Sequence, residues 1–234
     1  MVALSLSSTD HAELLEQYPY PFKIVARYTI DSEKVAVSYE VTNEGTEDMP
    51  FFVGGHPGFK CPLDEGESYD DYELRFEQRE AADLCTAVPS TGLIDVEHRS
   101  KNPMIGQNQP LTHELFDFAE TIFDVLESRV VTLTKKTEDK GVRLTFPDMP
   151  YLIVWSKPEG DFVAVEPWGA CPPAPTRTIF LSTSVAAWWP SRERPSPAAL
   201  RSRSFNELSY VWGGSCRPGT GVQHDSDRYH EPVD

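Results

Sequence analysis

Long apolar runs are missing from this 234-residue chain, and so is a basic leader. It opens Met1-Val2-Ala3-Leu4-Ser5-Leu6-Ser7-Ser8, too short and too uncharged for a signal peptide. No later stretch reaches the ~20 apolar residues that a helix needs to cross a bilayer. The chain therefore reads as cytoplasmic, with no membrane partner. Positive charge is scarce: 21 basic residues against 37 acidic ones leave a formal charge of −16, which argues against nucleic acid or an anionic lipid surface as partner. Cysteine is sparse, and Cys61, Cys85, Cys171 and Cys216 form no C-x-x-C pair, so reduced thiols are expected rather than bridges. With no H-x-x-x-H spacing either, no metal is expected, and the glycines nowhere form a phosphate cradle, so no nucleotide cofactor is implied.

What the chain does have is short, alternating β-prone segments. Residues Phe22 to Ile30 and Lys34 to Thr42 are rich in Val, Ile, Tyr and Thr around the turn Asp31-Ser32-Glu33, which predicts a hairpin. In its second arm Val35, Val37, Tyr39 and Val41 alternate with smaller or polar residues, placing the apolar set on one face. Tyr72 to Glu77 alternates likewise, with Tyr72, Leu74 and Phe76 on the apolar face. Further strands are expected at Arg129–Thr134, Val142–Phe146, Tyr151–Trp155 and Phe162–Val165, with short strands and loops from Glu80 to Leu111 and one helical turn near Thr112. Strands of this length between Gly/Pro turns predict an all-β sandwich or barrel rather than alternating βαβ units.

After Trp168 the character changes. Residues 171 to 234 hold 7 of the 21 basic and 6 of the 37 acidic residues, no lysine and eight prolines, so the first part carries −17 and this tail +1. A division is expected between a β domain at 1–170 and a poorly ordered tail at 171–234.

The stretch from Met49 to Leu63 combines three glycines, three prolines and one histidine, His56, a mixture that predicts a bend rather than a helix or central strand. Pro57 restricts His56 toward extended geometry, leaving one titratable side chain with few local options, as a positioned acid or base requires. Glu166 lies among Phe162, Val163, Val165 and Trp168, where solubility does not call for a carboxylate. It is expected to end its strand, with Pro167 stopping the ladder.

The ordered set Gly54-Gly55-His56-Pro57-Gly58-Phe59, Pro150-Tyr151-Leu152-Ile153-Val154-Trp155 and Glu166-Pro167-Trp168 resembles the aldose 1-epimerase, or galactose mutarotase-like, family from about Val2 to Trp168. The resemblance implies a large antiparallel β-sandwich, the galactose mutarotase-like supersandwich, with a shallow hexose-binding cleft. It implies His56 as general acid and Glu166 as general base, both facing one concave surface with room for a pyranose between them. Trp168 is a candidate to stack on the sugar. Asp117 and Glu120 are the acidic residues nearest Ala119, where the family usually carries an aspartate. The resemblance also implies that the family's first strands precede this amino end and that the tail departs from the family pattern, which leads to an expectation of weak or absent activity. The implied function is interconversion of the anomers of a hexose. The alternatives are a non-catalytic carbohydrate-binding remnant and a hexose-6-phosphate 1-epimerase, for which Arg27, Arg75 and Arg143 are too scattered. The preferred sugar and the oligomeric state are left open.

Overall fold

In the computed structural model the described residues are 1–31, 34–88, 93–117 and 120–169, together with the backbone of a strand at 203–213. Among the described residues there are fourteen strands, of which the first half comprises β1 (Val2–Ser7), β2 (Phe22–Asp31), β3 (Lys34–Asn43), β4 (Gly58–Lys60), β5 (Tyr72–Phe76), β6 (Leu84–Val88) and β7 (Leu93–Ser100). The second half comprises β8 (Asn108–Pro110), β9 (Thr121–Phe123), β10 (Val130–Lys135), β11 (Gly141–Thr145), β12 (Tyr151–Trp155), β13 (Phe162–Trp168) and β14 (Arg203–Gly213). Helix is confined, among the described residues, to one four-residue turn at Leu14–Gln17 and two 3-10 turns at Tyr69–Asp71 and His113–Phe116.

The strands form two antiparallel sheets, as the alternating sequence predicts. One has eight strands in the order β1-β2-β3-β14-β11-β10-β5-β8, and the other six in the order β4-β13-β12-β9-β6-β7. The expected hairpin is β2–β3, paired without interruption from Phe22↔Asn43 to Asp31↔Lys34. One core cluster joins the facing sides of the two sheets. Leu74, Leu133 and Leu144 come from the larger sheet, and Leu152, Val154 and Val163 from the smaller. Each pair of contacting side chains alternates with residues that face outward, which is the pleat expressed as packing.

Two local expectations are corrected. From Val53 to Lys60 the chain does not bend but runs extended beside β13, and the bend of this stretch comes only at its end, from Cys61 to Leu63. The backbone bonds Cys61 N→Asp161 O, Val165 N→Pro57 O, Gly55 N→Pro167 O and Gly169 N→Val53 O keep one register throughout. Proline is tolerated here because the segment is the edge of its sheet, where a missing N–H leaves only one ladder bond unmade. Nor does Pro167 stop β13, which continues to Trp168. The ladder toward β12 uses the backbone of Glu166, so the missing donor of Pro167 falls on the β4 side, where its carbonyl still accepts from Gly55.

The tail contributes an element that its composition does not announce. Strand β14 lies inside the larger sheet, pairing with β3 on one side and β11 on the other. The expectation of poor order for the rest of 171–234 concerns residues outside the described part.

Candidate active site

The constant register beside β13 assembles the site. Gly58 faces Ala164 and Gly54 faces Trp168, so His56, midway between the glycines, faces Glu166, midway between Ala164 and Trp168. Hydrogen bonds join the flanking positions 55/167 and 57/165, which makes 56/166 a pair of the non-hydrogen-bonded kind. Such pairs bring Cα atoms to about 4.5 Å and their side chains closest together.

Accordingly His56 Nδ1 lies 3.3 Å from Glu166 Oε1, with the imidazole 68% exposed and the glutamate side chain only 4% exposed. The other carboxylate oxygen, Oε2, accepts from the indole Nε1–H of Trp168 at 3.2 Å. Burial pushes the Glu166 carboxyl above the ordinary range. The neighbouring His56 and the Trp168 donor pull it back, while Glu120 adds to the rise. A carboxylate in this environment is a stronger base than one in water, because taking up a proton relieves its desolvation.

Of the other candidates, Trp168 is brought in as a hydrogen-bond donor as well as an aromatic wall, packed partly against the apolar cluster of Cys85, Ile94, Ile122 and Ile153. Glu120 is half-buried and close enough for its charge to act on Glu166. Asp117 is exposed at the end of the second 3-10 turn, and no described contact ties it to His56 or Glu166. Ala119 is outside the described residues. The gap expected between acid and base is not found, since at 3.3 Å each is the other's partner. A pyranose would have to separate them or lie over the pair.

Residues that sequence reasoning passed over share this outward face of the smaller sheet. Glu166 pairs with Ile153, Ile153 with Ile122, and Ile122 with Cys85, so one row crosses four strands from the His56–Glu166 pair to β6. At its far end Arg99 donates to both oxygens of Asp124, at 2.8 and 2.7 Å, and to the carbonyl of Asp83 at 2.9 Å. Burial would raise the Asp124 carboxyl, but Arg99 and the Cys85 thiol outweigh it and hold the group below the usual range. Burial, reinforced by that carboxylate, pushes the Cys85 thiol up to about 12. Nothing in the spacing of 83, 85, 99 and 124 signals this cluster, because it exists only through the β6–β7 and β6–β9 pairings.

Comparison with known proteins supplies the remaining constraint. A model of the aldose 1-epimerase family matches residues 1–181, past the Trp168 at which the resemblance was expected to end. Protein LacX of Lactococcus lactis subsp. lactis is 38% identical over 210 residues, covering 89% of this chain and 67% of that protein. A galactose mutarotase related enzyme from Lactobacillus acidophilus superposes with a TM-score of 0.72 at 22% identity, over 91% of this chain and 67% of that one. A galactose mutarotase-like protein from Lactobacillus casei gives a TM-score of 0.64 at 25% identity, over 89% and 68% of the two chains. The present chain thus spans about two thirds of the length of these relatives. With the family's sandwich in its backbone and the family's sequence pattern over most of its length, this chain belongs to the aldose 1-epimerase family.

Proposed function

We propose that the chain is an aldose 1-epimerase-type isomerase acting on a free hexose, with His56 and Glu166 as its acid and base. The observation that carries this reading is the direct pairing of an exposed imidazole with a buried carboxylate on one sheet face. Ring opening needs a proton taken from the C1 hydroxyl and one given to the ring oxygen. Glu166 accepts the first, and the protonated imidazole of His56 donates the second as the bond between C1 and the ring oxygen breaks. The aldehyde then rotates about C1–C2, and the reverse transfers close the ring on the other face. In this scheme the anomeric hydroxyl replaces His56 at Oε1 while the exposed ring turns to the ring oxygen. The Trp168 indole holds Oε2, so the base keeps its orientation when its partner changes.

The test is polarimetry of freshly dissolved α-glucose and α-galactose with the purified chain. Acceleration over buffer is expected, with Glu166→Gln and His56→Asn each lowering it by about 10²-fold or more. Rates indistinguishable from buffer in the unmutated chain would sink the catalytic reading. If sugar still binds, the chain is the carbohydrate-binding alternative. A rate confined to hexose 6-phosphates would instead support the phosphate-specific alternative.

A further inference from the structure

We propose that β1 is a dimerisation edge, through which two copies of this chain join their larger sheets about a two-fold axis at Leu4, whatever occupies the face of His56 and Glu166.

Three observations carry it. The first is that β1 is unguarded. It ends the eight-stranded sheet, and Val2–Ser7 pair with β2 without a bulge. The strand holds no charge and no proline. Edges are ordinarily blunted by shortness, charge or proline, because an open row of N–H and C=O groups invites another strand. The other sheet edges among the described residues are blunted in this way. Strands β4 and β8 are three residues long, β4 bracketed by Pro57 and Pro62 and β8 ending in Pro110, while β7 carries Asp95, Glu97, His98 and Arg99.

The second observation is an apolar face that outruns its cover. By register Val2, Leu4 and Leu6 lie beside Tyr28, Ala26 and Ile24 of β2, and these beside Val37, Tyr39 and Val41 of β3. Val37 and Val41 are buried in apolar clusters. Toward the edge the same face opens, with Val2 59%, Leu4 61%, Leu6 39% and Tyr28 38% exposed.

The third is self-complementarity. The amide of Ser8 donates to Phe22 O. Backbone groups alternate in direction along a strand, so those of Val2, Leu4 and Leu6 point to β2 and those of Ala3, Ser5 and Ser7 point outward. An antiparallel copy meets those outward groups only with odd positions opposite odd ones. With the axis at Leu4, Ala3 faces Ser5 of the second copy, and each such pair exchanges both of its backbone bonds. On the apolar side Val2 faces Leu6 of the second copy and Leu4 faces Leu4. The Leu4 pair is then of the non-hydrogen-bonded kind, with Cα atoms about 4.5 Å apart and side chains closest together. Any extended strand can satisfy the backbone, but the match of this apolar row to its own reverse singles out a second copy. A two-fold axis uses up the edge in both copies, which stops the assembly at two.

The test is sedimentation equilibrium of the full chain over a dilution series. An interface one strand deep belongs to the small class, under about 1,200 Å² in total, so a dimer that dissociates on dilution is expected. Leu4→Lys sets like charges opposite each other at the axis and is expected to weaken the dimer about 10-fold or more. Ser5→Pro, which removes only an outward N–H, is expected to weaken it comparably while the circular dichroism of the folded chain persists. Mild oxidation of Leu4→Cys is expected to yield a covalent dimer beyond any formed by the unmutated chain, since the Cα separation at the axis lies within the disulfide range of about 4.4–6.8 Å. Ser5→Cys, which faces Ala3, is not. Crosslinking is a gain of signal, so a folding defect in Leu4→Lys cannot imitate it. A chain that stays monomeric up to about 1 mM, a dimer indifferent to both Leu4→Lys and Ser5→Pro, or crosslinking through Ser5→Cys in preference to Leu4→Cys would overturn the inference. Slow hydrogen exchange at the Ala3 and Ser5 amides of such a monomer would show that another part of the chain covers the edge.

Discussion

In the proposed reaction Glu166 carries a conflict between stability and chemistry. Its carboxyl is raised by burial beyond what His56 and Trp168 recover, so the folded chain holds that proton more tightly than the unfolded chain does. By linkage, the favourable contribution of the protonated group is fully present below the unfolded value, near 4.3, and is lost as pH rises through the higher folded value. At neutral pH the ionised group therefore burdens the fold. Glu166→Gln is expected to raise the melting temperature at pH 7 while abolishing activity, and the gain should shrink toward nothing as the pH is lowered below about 4. Thermal melts of both proteins across that range measure it, and a pH-independent difference would show that burial of the charge is not the cause. For the same reason the acid limb of kcat/KM should lie above the ordinary glutamate range. The identity of this residue was legible in sequence because a carboxylate in an apolar strand is anomalous. Its partner oxygens were not, since Trp168 Nε1 and His56 Nδ1 reach it only through strand geometry.

Among the elements, the edge segment beside β13 decides how well the pair is aimed. Gly54 lies against the Trp168 indole, and a Cβ built at that position would stand 2.7 Å from Cδ1 and 3.0 Å from Cγ, closer than packed carbon atoms allow. The indole would have to move, and with it the donor to Glu166 Oε2. Gly54→Ala is therefore expected to keep the sandwich, alter tryptophan fluorescence, and cost about 10- to 100-fold in mutarotation, the range of a hydrogen bond to a charged group. Unchanged fluorescence and activity would mean that Trp168 does not hold the base. Sequence reasoning recognised the glycines and prolines of this segment as incompatible with a central strand. It placed the bend around His56, where the chain is extended, because it could not know that the segment sits at a sheet edge, where the same residues are compatible with extension; the bend itself comes at Cys61–Leu63. The hairpin β2–β3 was readable to within a residue at either end, since both its arms and its turn are local.

For the molecule as a whole, β14 is the consequential element. It is the strand between β3 and β11, and without it the larger sheet divides into β1-β2-β3 and β11-β10-β5-β8 with two rows of backbone groups unpaired. A chain ending at residue 170 is expected to lose cooperative unfolding and to associate through those edges, the more so because Val2, Leu4 and Ile30 already expose apolar surface on β1 and β2. Size-exclusion chromatography and a thermal melt beside the full chain test this. A truncated chain that melts as sharply at the same temperature would establish 1–170 as a self-sufficient unit.

By itself the sequence determined the class of this protein. Period-two alternation and Gly/Pro turns are local, and they specify antiparallel strands with one apolar face wherever they occur. The ordered motifs around His56 and Glu166 carried the family. Only the tertiary structure decided which strands are neighbours, and hence that 56 and 166 share one register position, that 99 and 124 lie at the other end of the same face, and that 203–213 belongs in the larger sheet. Pairing between segments over a hundred residues apart is selected by the packing of whole sheets against one core, so no short window of sequence contains it.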